Sequence, residues 1–262
     1  MNKKLLFFDI DGTLYNTKKI IPQSAKDAIK AAREQGHEVA IATGRSPFFL
    51  KEVSDELEVD SFISFNGQFV VYKGQVISSR PIPLDVLQRL TKKAEENNIP
   101  IVYLDEHQMT SATKEHDEVR ASMDSLFYPM PEHDAEHYKT TAIYQSLLYI
   151  SEEQKPAFIE AFPELAFIRW HEFSDDVINH DVSKAYGIEQ FIKHTDFTMA
   201  DVIVFGDGLN DVEMLELVAQ EGTSVAMGNA VPQAKEVASI VTDHVDEDGL
   251  ANAMVKLGLL TK

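Results

Sequence analysis

The chain has no cysteine among its 262 residues, so it is not a disulfide scaffold. None of its apolar runs approaches the ~20 residues that cross a bilayer, which excludes a membrane span. Positive charge is scarce as well: 24 Lys and Arg stand against 43 Asp and Glu, a net charge of −19. Such a surface repels the nucleic-acid backbone and anionic membranes at long range, so neither is an expected partner. Internal repeats and low-complexity segments are missing too. What is present is globular in balance, with 44% hydrophobic and 26% charged residues, which excludes a disordered or collagen-like chain. At ~150 residues per domain, the length suits one large domain or two modest ones. The start, Met1-Asn2-Lys3-Lys4 and then a short stretch ending at Asp9, turns acidic too soon for a secretory signal. A cytoplasmic enzyme or binding protein is the expectation.

Hydrophobic patterning divides the chain in three. Lys4 to Asp9 is a short apolar run of the kind buried on both faces of a parallel sheet. A helix follows over Pro22 to Gln35, with Ala25, Ala28, Ile29 and Ala32 at helical spacing and Gly36 as a stop. Val39 to Ala42 and Ser61 to Phe65 read as strands, and Phe48 to Leu57 between them as a helix. Strand–helix alternation is the grammar of a parallel sheet clothed by helices. Phe69 to Ser79, broken at Lys73-Gly74, reads as a hairpin. After Pro81 and Pro83 the pattern becomes mixed, with helices over 84–97 and 152–161 and strands over 101–104, 146–150 and 167–170. The first grammar resumes at Ser183. We therefore expect an α/β fold: a Rossmann-like core with helices on both faces, discontinuous over 1–82 and 182–262, and an inserted α+β cap domain over 83–181.

Ligands of such sheets bind beyond the carboxyl ends of the strands. Standing there are Asp9-Ile10-Asp11-Gly12-Thr13, Thr43-Gly44-Arg45, Asn66-Gly67 and Gly206-Asp207-Gly208-Leu209-Asn210-Asp211. Four acidic side chains around one rim repel one another unless a cation joins them. An all-oxygen donor set favours Mg²⁺, which keeps waters and shares its shell with phosphate. A local cation would also let so acidic a protein accept an anionic substrate.

Together with Lys184, the runs Asp9-Ile10-Asp11-Gly12-Thr13-Leu14, Thr43-Gly44-Arg45 and Gly206 to Asp211 resemble the haloacid dehalogenase superfamily of phosphatases. The long insert, and Ser64-Phe65-Asn66-Gly67, are similar to its Cof-like sugar-phosphatase branch with an α+β (type C2) cap. The resemblance implies a Mg²⁺-dependent hydrolase of small phosphorylated metabolites working through an aspartyl phosphate. Asp9 would be the nucleophile and Asp11 the general acid and base. Ile10, Thr43, Gly44, Lys184 and Asn210 would bind the phosphoryl group. Asp9, Asp11, Asp207 and Asp211 would surround the metal, Asp211 directly or through a water. The family often has Lys-Gly where this chain has Lys184-Ala185, a departure that leaves the lysine itself in place.

Plainer readings compete at each motif. Asp11-Gly12 alone is a turn, Thr43 alone a helix N-cap, and Asn210 alone the cap of the next helix. A lysine in the first turn of a helix opposes the macrodipole and is ordinarily solvated. Strand alternation would place Asp9 and Asp11 side by side. Away from the rim, His133 and His137 share helical spacing and could take a metal, though solvated histidines suit a polar loop better. Trp170-His171-Glu172 suits either a cap pocket or the core. The acidic run 243–248 lacks the spacing of a calcium loop and reads as solvated. A phosphomutase or phosphotransferase using the same aspartyl phosphate, or a non-catalytic phosphate-binding protein, are the alternative functions. Oligomeric state is not encoded in any of these signals.

Overall fold

The structure is a computed structural model that describes residues 3–260. In chain order the elements begin with β1 (Leu5–Phe8), α1 (Gln23–Glu34), β2 (Glu38–Ala42), α2 (Pro47–Leu57), β3 (Phe62–Ser64), β4 (Phe69–Tyr72) and β5 (Gln75–Ser79). Next come α3 (Leu84–Glu96), β6 (Ile101–Leu104), β7 (Met109–Ser111), α4 (Asp117–Ser125), β8 (Glu132–His133), β9 (Gln145–Leu148), α5 (Lys155–Ala161), β10 (Leu165–His171) and β11 (Ser174–Asn179). The chain closes with α6 (Lys184–Lys193), β12 (Val202–Gly206), α7 (Val212–Ala219), β13 (Thr223–Ala226), α8 (Pro232–Val237), β14 (Ile240–Val241) and α9 (Gly249–Lys256). These elements form two compact units. One runs to Arg45, includes Phe49–Ser79 and resumes at Ser183; the other holds Arg80–Val182 with Ser46–Phe48.

In the first unit, eight strands lie in the order β14-β13-β12-β1-β2-β3-β4-β5. All pairs from β14 to β3 are parallel, and β4 and β5 add an antiparallel edge. The central strand explains the two-sided architecture. Leu6 and Phe8 of β1 join a core with Ala25, Ile29, Leu50, Val53 and Leu250, from α1, α2 and α9. Leu5 and Phe7 join another with Ile188, Phe191, Leu215 and Ala234, from α6, α7 and α8. All four β1 residues are fully buried, each contributing ~1.5–3 kcal/mol of burial free energy. The expected α/β core with helices on both faces is therefore present. At the hairpin, Lys73 and Gly74 both take left-handed backbone, the pairing a tight two-residue turn needs.

The second unit is a six-stranded sheet in the order β10-β11-β9-β6-β7-β8, antiparallel except for β7 with β8. Helices α3 and α5 cover one face: Leu87, Leu90 and Phe158 pack on Ile101, Tyr103, Leu148 and Val177. Two parts of it differ from the sequence reading. The polar stretch after Leu104 contains β7, α4 and β8, and an acidic segment, Ser-Asp-Asp-Val-Ile-Asn, forms β11. The polarity of β11 is locally matched, because the buried Asp175 carboxylate meets Lys155 and Arg169, each at 2.8 Å.

Candidate active site

Beyond the carboxyl end of β1 the chain turns at once. The Leu14 N–H donates to the Asp9 carbonyl at 3.2 Å, and the Tyr15 N–H to the Ile10 carbonyl at 2.7 Å. Asp9 and Asp11 thus flank a turn rather than share a strand face, which corrects the expectation from alternation. Asp9 is buried, at 6% exposure. Asp11 is much more open and its carboxylate is held from outside, by Arg45 at 2.8 and 2.9 Å and Lys19 at 3.0 Å. Burial pushes the Asp11 carboxyl up, but hydrogen bonds and charge from Arg45, then Lys19, outweigh that and hold it below the usual range. The Ile10 side chain belongs to the core, so only its backbone could serve an anion.

Opposite Asp9 stands Lys184. Ser183 caps α6 by accepting from the Tyr186 N–H, and Lys184 opens the helix behind it. Its ammonium is entirely buried and donates to Asp9 Oδ1 at 2.5 Å and to Asp211 Oδ1 at 2.6 Å. The solvated-lysine reading is therefore wrong here: two carboxylates offset both the macrodipole and the loss of water. Desolvation alone would lower the lysine pKa, but charge from Asp211 and Asp9 overrides it and raises it. The helix reaches this depth through glycine. Gly67 sits at φ +106°, and a Cβ there would lie 2.1 Å from the Ser183 carbonyl oxygen.

Just beyond β12 stand Asp207 and Asp211. Asp211 Oδ2 accepts from the N–H groups of Asp207 and Gly208, each at 2.8 Å, while its other oxygen holds Lys184. Asp207 is positioned by Thr13, whose hydroxyl donates to Oδ1 at 3.0 Å, and by Asn229, whose Nδ2 lies 3.3 Å from Oδ2. Asn229 also donates to the Gly12 carbonyl at 2.8 Å and accepts from the Val245 N–H at 3.0 Å. Gly12 itself, at φ +88°, makes room: a Cβ would stand 2.2 Å from Asp207 Oδ2.

Asp9, Asp207 and Asp211 each offer a carboxylate oxygen, and the three lie within 4.8 Å of one another. The Asp11 carboxylate is not in this group, so the structure does not support it as a metal ligand through its side chain. Two of these acids, Asp9 and Asp207, are shifted upward. Burial, offset by Lys184 and reinforced by Asp211 and Asp207, pushes Asp9 up to about 8. Asp207 rises to about 6, through burial first and then Asp211, against the Thr13 hydrogen bond. Buried acids in this state, with only oxygen donors, fit a hard divalent cation such as Mg²⁺.

Thr43 lies at the end of β2, only 2% exposed. Its hydroxyl accepts from the Arg45 N–H at 3.1 Å, so its own hydrogen is left for another acceptor. Helix α2 begins only at Pro47, which removes the N-cap reading. Asn210 donates to Asn66 Oδ1 at 3.2 Å rather than capping α7. Thr13, Asn66, Asn229 and Arg45 thus join the site as residues not assigned roles from sequence. Asn66 and Arg45 stood within the quoted motifs, whereas Asn229 carried no signal beyond its Gly-Asn step.

This arrangement joins a buried acid, a buried lysine and a three-carboxylate cluster across β1, α6 and β12. Residues 6–254 match the haloacid dehalogenase-like hydrolase family. The chain belongs to that family. It is similar, at 47% identity over 260 residues, to the putative phosphatase YkrA of Bacillus subtilis, covering 99% of this chain and 100% of that one. Among solved structures, a hypothetical protein of Geobacillus kaustophilus aligns with a TM-score of 0.95 at 41% identity, over 99% and 100% of the two chains. The subclass IIB sugar phosphatase BT4131 aligns at a TM-score of 0.82 and 30% identity, over 98% and 100%. As a haloacid dehalogenase-like enzyme with these relatives, the protein is a phosphoric monoester hydrolase.

His133 lies in β8 with Nδ1 3.1 Å from the Ser111 carbonyl oxygen, while His137 pairs with Asp105 at 2.6 Å. They do not share a helix. Trp170 sits in β10 and donates to Ser174 Oγ at 3.2 Å. In the 243–248 run, Asp243, Asp246 and Asp248 are engaged separately by Asn252, Thr17 and Ser24. Among the described residues, no helix is long and apolar enough to cross a membrane.

Proposed function

We propose that the protein is a Mg²⁺-dependent phosphatase of small phosphorylated metabolites that uses Asp9 as its nucleophile. The supporting observation is the buried Lys184 ammonium, held at 2.5 Å from Asp9 and 2.6 Å from Asp211 with no access to water. A buried ammonium beside a nucleophile can stabilise negative charge that develops there, and here its position suits the peripheral oxygens of a transferring phosphoryl group. Asp9 and Asp207 are the residues to hold Mg²⁺, which would neutralise phosphate charge. Asp211, with one oxygen on Lys184 and the other on two amides, fits orientation of Lys184 and of the loop better than direct ligation.

In the first half-reaction an Asp9 carboxylate oxygen bonds to phosphorus and the ester P–O bond breaks, with a proton passing from Asp11 to the departing alcohol oxygen. In the second, a water oxygen attacks the same phosphorus, its proton returns to Asp11, and the acyl–phosphate bond breaks to free inorganic phosphate. Arg45 and Lys19 hold Asp11 as a carboxylate, the form needed to activate that water. To act as acid in the first half it must be loosened from them. Thr43, Gly44, Lys184 and Asn210 would bind the phosphoryl oxygens. BT4131 is described as a sugar phosphatase, and a relative 26% identical, from Escherichia coli, as a pyridoxal phosphate phosphatase. Sugar phosphates and similar small esters are accordingly the substrate class we infer.

A screen of phosphorylated metabolites for phosphate release, with and without Mg²⁺, tests the reading. Free phosphate supports hydrolysis; an isomerised sugar phosphate without phosphate release would favour a mutase. No release from any ester would overturn it.

A further inference from the structure

Asn66 is the residue whose conformation and burial the proposed chemistry leaves unexplained. Directly after β3, three successive residues adopt left-handed backbone: Phe65 at φ 50°, Asn66 at φ 53° and Gly67 at φ 106°. Left-handed backbone costs an ordinary residue ~1–2 kcal/mol, and asparagine tolerates it better than most. A turn alone would be served as well by glycine, or by an asparagine pointing into water. Here the side chain is instead buried, at 7% exposure, which is unfavourable for an amide unless it has polar work to do.

Its contacts say what that work is. The Asn66 N–H donates to the Thr43 carbonyl at 3.1 Å. Its carboxamide lies against Gly44, where a Cβ would stand 3.0 Å from Nδ2 and 3.1 Å from Oδ1. Its Oδ1 accepts from Asn210 Nδ2 at 3.2 Å. Phe65 reinforces the seam by donating to the Arg45 carbonyl at 3.1 Å. One residue therefore touches Thr43, Gly44 and Asn210, which arrive from two separate strands of the sheet, β2 and β12. Among the described residues, the Asn66 NH₂ group has no hydrogen-bond acceptor, so both of its donors remain for an anionic oxygen.

We propose that Asn66 is a binding residue for the phosphoryl group, its NH₂ donating to a phosphoryl oxygen while its carboxamide oxygen aligns Asn210 beside Gly44 and Thr43. This rests on the phosphatase reading of the site. Asparagine is required twice over, by a backbone that glycine could also adopt and by an amide that glycine lacks.

That separation supplies the experiment. Asn66→Gly keeps the backbone and removes the amide. Asn66→Ala removes both. Asn66→Asp keeps shape and acceptor but puts a negative charge beside the phosphate. For each, kcat and KM are measured with p-nitrophenyl phosphate, the Kd of inorganic phosphate by calorimetry in Mg²⁺ buffer, and the melting temperature. Asn66→Gly is expected to keep its melting temperature while losing ~10-fold or more in both kcat/KM and phosphate affinity, the size of one charge-assisted hydrogen bond. Asn66→Asp should lose more than Asn66→Gly in phosphate affinity, and Asn66→Ala should also melt earlier. Wild-type phosphate affinity and turnover in Asn66→Gly would overturn the proposal, reducing Asn66 to a piece of turn. If the wild-type protein binds phosphate but hydrolyses no ester, the phosphatase reading fails, while the phosphate Kd series still decides the role of Asn66.

Discussion

The ammonium of Lys184 and the carboxylate of Asp9 are 175 residues apart in sequence and 2.5 Å apart in space, with no part of the lysine exposed. Asp211 completes the group at 2.6 Å. One ammonium and two acids share one dry volume, and the buried lysine depends on that pair for compensation.

The first consequence is a test of stability. Removing one partner of a buried ion pair costs ~3–5 kcal/mol, because the charge left behind has neither water nor counter-ion. Lys184→Met should therefore lose about 3 kcal/mol or more in urea unfolding. The double change Lys184→Met with Asp211→Asn should recover part of that loss, since it removes an abandoned carboxylate. A double variant less stable than the single one would show that the pair is not coupled.

Asp9→Asn separates stability from turnover. Burial holds the Asp9 carboxyl up at about 8, so a neutral amide suits the metal-free site at neutral pH. The variant should melt no lower than wild type without metal, yet release no phosphate. Retention of more than a few per cent of the wild-type rate, with contaminating phosphatase excluded, would remove Asp9 as nucleophile.

Much of this was readable in advance. Leu5 to Phe8 announced a strand buried on both faces because every position is apolar, and the four motifs lie at strand ends as α/β topology requires. The burial of Lys184 was not readable, because a lysine in the first turn of a helix looks the same in sequence whether it meets water or two distant aspartates. Asn229 was hidden for a similar reason: its value lies in reaching Asp207 and the Gly12 carbonyl, both remote in sequence. The Ser174–Asn179 strand was obscured by Asp175 and Asp176, whose cost is met by partners such as Lys155 that only folding brings near. Asp11 misled because alternation applies to extended chain, and the extended chain stops at Phe8.

The raised acids set a pH dependence with a definite sign. Asp9 at about 8 and Asp207 at about 6 bind protons more tightly in the folded state than at their ordinary value of 3.8. Their contribution to metal-free stability is complete below about pH 4 and is lost as pH rises through 6 and then 8, for Asp9 at up to ~1.4 kcal/mol per pH unit. Asp176, raised to about 7 mainly by burial, acts in the same direction. A Mg²⁺ ion held by Asp9 and Asp207 would compete with protons there but not at Asp176. The metal-free melting temperature should thus fall between pH 5 and 8, and Mg²⁺ should raise it more at pH 8 than at pH 6. A larger Mg²⁺ effect at pH 6 would contradict the assignment of these two acids to the cation.

Gly12 offers a steric test of the same site. Alanine there would carry a Cβ 2.2 Å from Asp207 Oδ2, on a backbone at φ +88° that alanine resists. Asp207 must move, and with it the hydrogen bonds from Thr13 and Asn229. Gly12→Ala should need at least ~10-fold more Mg²⁺ for half-maximal activity, which corresponds to about 1.4 kcal/mol of lost alignment. An unchanged Mg²⁺ requirement in a folded variant would place the cation away from Asp207.

Arg45 is the residue to change in order to ask what Asp11 does. Its guanidinium grips Asp11 through two hydrogen bonds, and its charge helps hold the Asp11 carboxyl below the usual range. The pair is partly open to solvent, so its loss should cost under ~1 kcal/mol of stability. In Arg45→Met, Lys19 remains as the one brace, and the carboxyl pKa must rise. As a base toward water, Asp11 acts only when deprotonated, so the acidic limb of aspartyl-phosphate hydrolysis should move to higher pH. As an acid toward the leaving alcohol, the same variant should give up its proton over a wider pH range, and formation of the intermediate should hold its rate to higher pH. Rapid-quench measurement of the two steps separates these effects. Displacement of both limbs to higher pH, the acidic limb of hydrolysis together with the basic limb of formation, is expected of a single group that serves first as acid and then as base, whereas two unmoved limbs would mean that the proton travels by another route.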